Sequence, residues 1–255
     1  MKSEKKAGEQ EVSLAHSGLD KEIEFLVANL EGIDKYRLPQ RAYHIARTAI
    51  RELILSPGQT ILERELAEIL QMSRTPVREA LVRLETEGMV RLIPRRGFIV
   101  EPIEKEDLNE IYEIAEKMDG LAVEKATRKI NNMEFEQLDL LIVEQEKALE
   151  EKDLKKWAVL DDEFHSMLIK FAGSKRMSAV VDIHSDQLYR ARLFSINHRP
   201  IPNMSIVEHK AIISCMKAKD GAAARMVMQS HRNRARMEII AAIEKLNQTG
   251  KKPVS

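Results

Sequence analysis

Cysteine is almost missing from this chain: Cys215 is the one example in 255 residues, so no intramolecular disulfide can form. No apolar run approaches the roughly 18 residues of a membrane span, and no N-terminal apolar signal core precedes the first charged stretches. A soluble, cytoplasmic protein without membrane contact is the expectation. Net charge is missing too, with 41 basic side chains against 41 acidic ones, which rules out bulk positive charge as the source of any nucleic-acid affinity. What is present is 44% apolar content, ample for folded cores, in a length that suits two domains.

Charge is distributed unevenly, and the uneven part is informative. Between Gln71 and Val100 six arginines face three glutamates. Upstream, residues 1–18 are polar and rich in lysine and glutamate, which predicts a disordered lead. Ile23, Leu26, Val27 and Leu30 have the spacing of a short amphipathic helix. A helical stripe follows at Ile45, Ala46, Ala49, Ile50, Leu53 and Ile54, closed by Ser56-Pro57-Gly58. A second helix is expected from about Glu63 to Leu70, a turn at Gln71-Met72, and a third helix from Ser73 or Thr75, either of which can cap, to Gly88. On that third helix Val77, Ala80, Leu81 and Leu84 share one face, so Arg74, Thr75 and Arg78 cluster at its N-terminal end and face outward, as a recognition helix presents side chains to a major groove. Met89 to Ile93 and Phe98 to Val100, joined by Pro94-Arg95-Arg96-Gly97, read as a hairpin with a basic tip. The order helix, helix, turn, helix, basic hairpin is that of a winged helix-turn-helix domain.

From Glu104 onward strand patterning gives way to helical periodicity. Six helices are expected, at about 105–129, 133–150, 153–171, 175–197, 203–218 and 220–247, with Asn132, Asp153, Ser174, Asn203 and Asp220 as caps. The fold class is therefore mainly α: an N-terminal winged helix-turn-helix plus a C-terminal all-helical bundle able to enclose a cavity. The domains fall at 1–38 (a partly disordered extension), 39–103, 104–248 and a tail at 249–255. Asp161 and His165 are four apart and share a helix face. His209 and His231 each lie 11 residues from Asp220. If the last two helices form an antiparallel hairpin turning there, both rings stand at one level, about 16 Å from the turn. Three imidazoles and a carboxylate suit a borderline divalent cation and leave positions open for water or an anionic ligand. Trp157 and Phe164 read as core, Met216, Met226, Met228 and Met237 as core or subunit contacts, and His184 and His198 as satisfied or solvent-facing.

The segments Pro57-Gly58-x-x-Ile61-x-Glu63-Arg64-Glu65-Leu66-Ala67, Ser73-Arg74-Thr75-Pro76-Val77-Arg78-Glu79-Ala80-Leu81 and Leu84-Glu85-x-x-Gly88 resemble the GntR family of bacterial transcription regulators. That resemblance implies that Arg64, Ser73, Arg74, Thr75 and Arg78 meet phosphates and base edges in the major groove, and that the tip Arg95, Arg96, Gly97 enters the minor groove. Of these, Arg74 and Arg78 suit bidentate guanine reading and Arg64 a phosphate contact. Asp161-x-x-Phe164-His165, Glu208-His209 and His231 resemble the FCD ligand-binding domain of the FadR-like branch of that family. The resemblance implies a helical bundle with a divalent ion, zinc or nickel, and a small carboxylate effector against it. Members commonly carry an arginine in the first bundle helix where this chain has Ala115. Arg190 and Arg192 are the candidates to replace it, although an exposed salt bridge is the ordinary fate of either.

The function expected is a homodimeric repressor binding a palindromic double-stranded operator, since one winged domain covers a short half-site and two-fold protein symmetry matches palindromic DNA. A small organic acid would modulate it at the metal pocket. Two alternatives stay open: a metal-responsive regulator in which the ion is the signal, and a metal-dependent hydrolase.

Overall fold

Residues 18–249 are described by the computed structural model of the chain, which divides between Pro102 and Ile103 into two units, each with its own core. Most of the expected N-terminal lead and of the tail therefore lies outside the described residues.

In the first unit, helix α1 (residues 18–29) lays Ile23 into the core, with Leu19, Leu26, Val27 and Leu30 packed beside it. Its amphipathic spacing thus serves packing within the unit. Helix α2 (Leu38–Arg51) starts with Pro39 in its first turn, where a missing N–H is harmless. It buries Ala42, Tyr43, Ile45, Ala46, Ala49 and Ile50. The helical stripe was expected to run on through Ile54, but the helix stops at Arg51. Leu53 turns to φ 62° and the Leu55 N–H donates to the Ala49 carbonyl at 3.0 Å. Apolar spacing alone cannot mark such an end, because the turn keeps delivering apolar side chains to the same core.

Helices α3 (Glu63–Ile69) and α4 (Arg74–Thr86) follow. Ser73 occupies the cap position of α4 but makes no capping bond through its side chain. Val77, Ala80, Leu81 and Leu84 are buried as their spacing requires. Gly88, at φ 69°, ends the helix, and Met89 N–H returns to Leu84 O at 2.9 Å. Strands β2 (Val90–Ile93) and β3 (Gly97–Val100) then pair antiparallel as the hairpin, with Arg95 and Gly97 at φ 65° and 90° in its tip. A third strand, β1 (Thr60–Ile61), joins the free edge of β3 and gives the order β1-β3-β2. Two residues are too short to show an alternating pattern, so β1 was not legible in the sequence.

Among the described residues the second unit has six α-helices: α5 (Lys105–Thr127), α6 (Asn132–Glu150), α7 (Leu154–Phe171), α8 (Lys175–Ser195), α9 (Asn203–Lys217) and α10 (Gly221–Thr249), with a 3-10 turn at Ile196–His198 after α8. Asn131, one residue before the expected cap, starts α6 through a reciprocal capping box with Glu134. Asp153 caps α7 by accepting from Lys156 N–H, and the Asp220 side chain accepts from Ala223 N–H at the start of α10. Before α9 the cap position is Pro202 rather than Asn203. Trp157 and Phe164 lie in the core with Tyr189, Ile212, Met216 and Met228, whereas Met226 and Met237 are exposed. No described helix is long and apolar enough to cross a membrane.

Candidate functional site

On the first unit, the side chains of Arg64, Ser73, Arg74, Thr75 and Arg78 are all exposed around the start of α4 and the face of α3. Arg95 and Arg96 are exposed on the hairpin tip. Arg78 is loosely paired with Glu63 at 3.4 Å and Arg64 with Glu68 at 3.8 Å, both at the surface, where such pairs hold weakly and exchange readily. Arg74, Arg95 and Arg96 have no ion-pair partner among the described residues. Two arginines that the sequence gave no role are structural: Arg83 stacks 3.7 Å from the Tyr43 ring and bonds Glu87, and Arg91 pairs with Glu101. The outward arginines are therefore available for phosphate and base edges, and Gly97 lets the tip turn hard against β1: a Cβ there would stand 2.6 Å from the Ile61 carbonyl oxygen.

On the second unit, α7, α9 and α10 bring Asp161, His165, His209 and His231 together, one ligand-type atom of each within 4.8 Å of the others and all four residues buried. His209 Nε2 lies 3.7 Å from Asp161 Oδ1, His165 Nε2 3.9 Å from Asp161 Oδ2, and His231 Nε2 3.3 Å from His165 Nε2. The three Nε2 atoms thus converge while each Nδ1 faces outward to another side chain. His231 Nδ1 meets Glu208 Oε2 at 2.7 Å, and His209 Nδ1 meets Gln145 Oε1 at 3.0 Å. His165 Nδ1 lies 3.3 Å from Asp119 Oδ2, outside hydrogen-bond alignment, and Asp119 in turn accepts from Arg232 Nε at 2.6 Å.

These outer partners decide where the protons sit. Gln145 spends its amide N–H on the Leu160 carbonyl at 3.0 Å, so its oxygen faces His209 and His209 Nδ1 must donate. The Nε2 of His209 then offers a bare lone pair toward Asp161. Burial, followed by His231, pushes the His209 pKa well below its usual value, and burial with Arg232 does the same to His165, so both imidazoles are neutral at pH 7. Burial alone would raise the Asp161 carboxyl, but the Arg192 guanidinium 2.8 Å away outweighs it and holds the group well below the usual carboxylate range. Glu208, where burial is outweighed by bonds from Arg234 and His231, is lowered to about 2.

Asp161 Oδ1 and His209 Nε2 are the orphans of this arrangement. Both are fully buried acceptor atoms without a hydrogen-bond partner, 3.7 Å apart. Two lone pairs facing each other out of water are unfavourable unless a cation lies between them. The donor set, three imidazoles and one carboxylate, with the Nδ1 atoms of His209 and His231 already engaged, fits a borderline divalent ion.

Arg190 and Arg192 are not surface residues: they are 2% and 3% exposed. Arg192 Nε donates to Asp161 Oδ2 at 2.8 Å, which places this arginine against the ligand cluster instead of in a solvent salt bridge. Ala115 is buried on α5, one turn after Tyr112, whose hydroxyl is buried and makes no hydrogen bond. His198 is exposed and His184 half-buried. The residues that sequence reasoning missed are Asp119, Gln145 and Arg232. Asp119 and Arg232 meet across 113 positions, and no local pattern announces such a pair.

Residues 38–100 match the family of bacterial regulatory proteins called gntR, and residues 110–234 match the FCD domain. An uncharacterised HTH-type transcriptional regulator in the TAR-I ttuE-ttuC' intergenic region of Agrobacterium vitis is 39% identical over 51% of this chain and 78% of its own length. The HTH-type transcriptional repressor RspR of Escherichia coli K12 is 28% identical over 75% of this chain and 84% of its own. The solved structure of E. coli McbR/YncC superposes with a TM-score of 0.69 over 85% of this chain and all of that one, at 21% identity, a likeness of fold.

Proposed function

From the premise that the chain belongs to the GntR family of bacterial regulators and carries an FCD domain, we propose a homodimeric repressor whose grip on a palindromic operator is modulated by a small organic acid at a zinc- or nickel-bearing site. That it is a DNA-binding transcription regulator, and not an enzyme, follows from the family itself, so the hydrolase alternative is set aside. One observation carries the metal half of the reading: the paired orphan acceptors Asp161 Oδ1 and His209 Nε2. Asp161, His165, His209 and His231 would hold the ion. When bound, it supplies positive charge and open coordination positions to an anionic ligand.

In the DNA half, Arg74 and Arg78 read base edges, Arg64, Ser73 and Thr75 meet the backbone, and Arg95, Arg96 and Gly97 enter the minor groove. The exposure of these side chains and the weakness of their surface pairs support the assignment. Repression is favoured by the similarity to RspR, a transcriptional repressor of E. coli K12. Dimerisation is favoured because a lone winged domain covers too short a site for useful affinity. A cytoplasmic location fits a regulator of DNA.

The test is a mobility shift on DNA from upstream of its own gene. Arg74→Ala with Arg78→Ala is expected to abolish the shift while leaving the circular dichroism spectrum intact; an unchanged shift would remove the recognition assignment. The second reading, an ion that is itself the signal, is favoured by the enclosure of all four ligands. Titrating the shift against zinc with and without carboxylic acids separates the two: a response to zinc alone supports metal sensing, and a response to acid at saturating zinc supports the effector reading.

A further inference from the structure

Each imidazole of the cluster turns its Nδ1 outward, but what waits there differs. His209 Nδ1 meets the neutral amide of Gln145, and His165 Nδ1 lies out of alignment with Asp119, whereas His231 Nδ1 meets a carboxylate oxygen, Glu208 Oε2, at 2.7 Å. An ionised carboxylate only accepts, so His231 Nδ1 is the donor and its Nε2 carries the lone pair. That Nε2 lies 3.3 Å from His165 Nε2, inside the cluster.

Glu208 is itself held. Arg234 Nε donates to its Oε1 at 2.7 Å and Arg234 Nη2 to its Oε2 at 2.6 Å, a two-pronged grip that fixes the plane of the carboxylate as well as its position. Two further bonds pin the guanidinium: Nη1 donates to Glu238 Oε1 at 2.7 Å, one turn on along α10, and Nη2 to the Ser205 hydroxyl at 3.0 Å, near the start of α9. The side chains of Glu208 and Arg234 are 15% and 23% exposed, so salt and solvent screen the pair weakly. His231 and Arg234, three apart on α10, lie on one side of that helix and reach the same carboxylate of α9. As a mere staple between α9 and α10 the pair would serve stability alone. The shared Oε2, which accepts from both Arg234 Nη2 and His231 Nδ1, ties the grip to the direction of the ring.

Resting on the metal-bearing reading above, we infer that Glu208 and Arg234 are positioning residues for the proposed ion: Glu208 aims His231 Nε2 into the cluster, and Arg234 acts through Glu208 by fixing its carboxylate. Neither is a ligand. Freed from the guanidinium, Glu208 could swing about its own torsions and take the imidazole with it, so the loss of a residue that never meets the ion loosens one of its four donors.

Zinc affinity of the full-length protein, read by competition with a chromophoric chelator, and the visible spectrum of the cobalt-loaded protein test this. The wild type is expected to bind about one ion per chain. Glu208→Gln and Arg234→Gln should each weaken zinc binding by about 10–100-fold and displace the cobalt bands. Arg234→Lys, which keeps the charge and loses the two-pronged grip, should weaken it by about three- to tenfold, and it carries the test should Arg234→Gln lower the helical content. Because Arg234 acts through Glu208, the Glu208→Gln plus Arg234→Gln double variant should bind no more weakly than Glu208→Gln alone. Losses that multiply in the double variant, or zinc affinity and cobalt bands unmoved by every substitution, would overturn the positioning role while leaving the ion standing. No zinc bound by the wild type would overturn both.

Discussion

Gln145 orients His209 because its own amide N–H is already committed to the Leu160 carbonyl. Gln145→Leu keeps most of the volume and removes the acceptor, so His209 becomes free to place its proton on Nε2, where it blocks the ion. The expected result is a loss of zinc affinity of about 10–100-fold, measured by competition with a chromophoric chelator; unaltered affinity would show that the amide does not orient the ring. His209→Ala should go further, reducing zinc in purified protein from about one per chain to a small fraction of that, as read by elemental analysis. The meeting of Asp161, His165, His209 and His231 was legible in the sequence because helical spacing places Asp161 beside His165, and because the turn at Asp220 sets His209 and His231 at matching heights. Gln145 was not legible: a glutamine in an amphipathic helix looks like any solvated side chain, and its partner lies 64 positions away. Arg190 and Arg192 were misjudged for a similar reason, since a carboxylate on another helix shelters Arg192 and spacing within α8 cannot reveal it.

Secondary-structure elements were read well wherever one face is apolar over several turns, and poorly at their ends. The three helices of the winged domain and all six of the bundle are where periodicity puts them. The end of α2 at Arg51 and the two-residue β1 are not, because the first is followed by a left-handed Leu53 that its residue type does not announce and the second is too short to alternate. The hairpin tip offers a direct measurement of such geometry. Gly58 and Gly97 both sit at positive φ, but a Cβ at Gly58 would meet nothing within 4 Å, whereas one at Gly97 would strike the backbone of β1. Gly58→Ala is expected to cost about 1–2 kcal/mol, the penalty of the left-handed region alone. Gly97→Ala should cost at least about 1 kcal/mol more, because the β1 to β3 pairing must also give way. Urea denaturation midpoints compare the two; equal costs would mean that β1 yields without resistance.

At the scale of the whole molecule, the division between Pro102 and Ile103 gives the winged domain and the helical bundle separate cores. The proposed ion ties together three helices of the second unit and nothing in the first. Zinc at about a hundred times its dissociation constant would contribute about 2.7 kcal/mol to that unit. Chelation is therefore expected to lower the calorimetric transition of the bundle by about 5–10 °C. A transition indifferent to chelator would argue that the four residues hold no ion.

Glu208 and His209 are neighbours on α9, yet one grips His231 and Arg234 on α10 while the other faces the ligand cluster. Successive residues of a helix diverge by about 100° around its axis, so these two side chains act like adjacent teeth of a ratchet engaged with different wheels. Rolling α9 would disengage both at once. A movement of α9 that keeps both contacts is then a slide or a tilt of an intact rod, with its azimuth held constant.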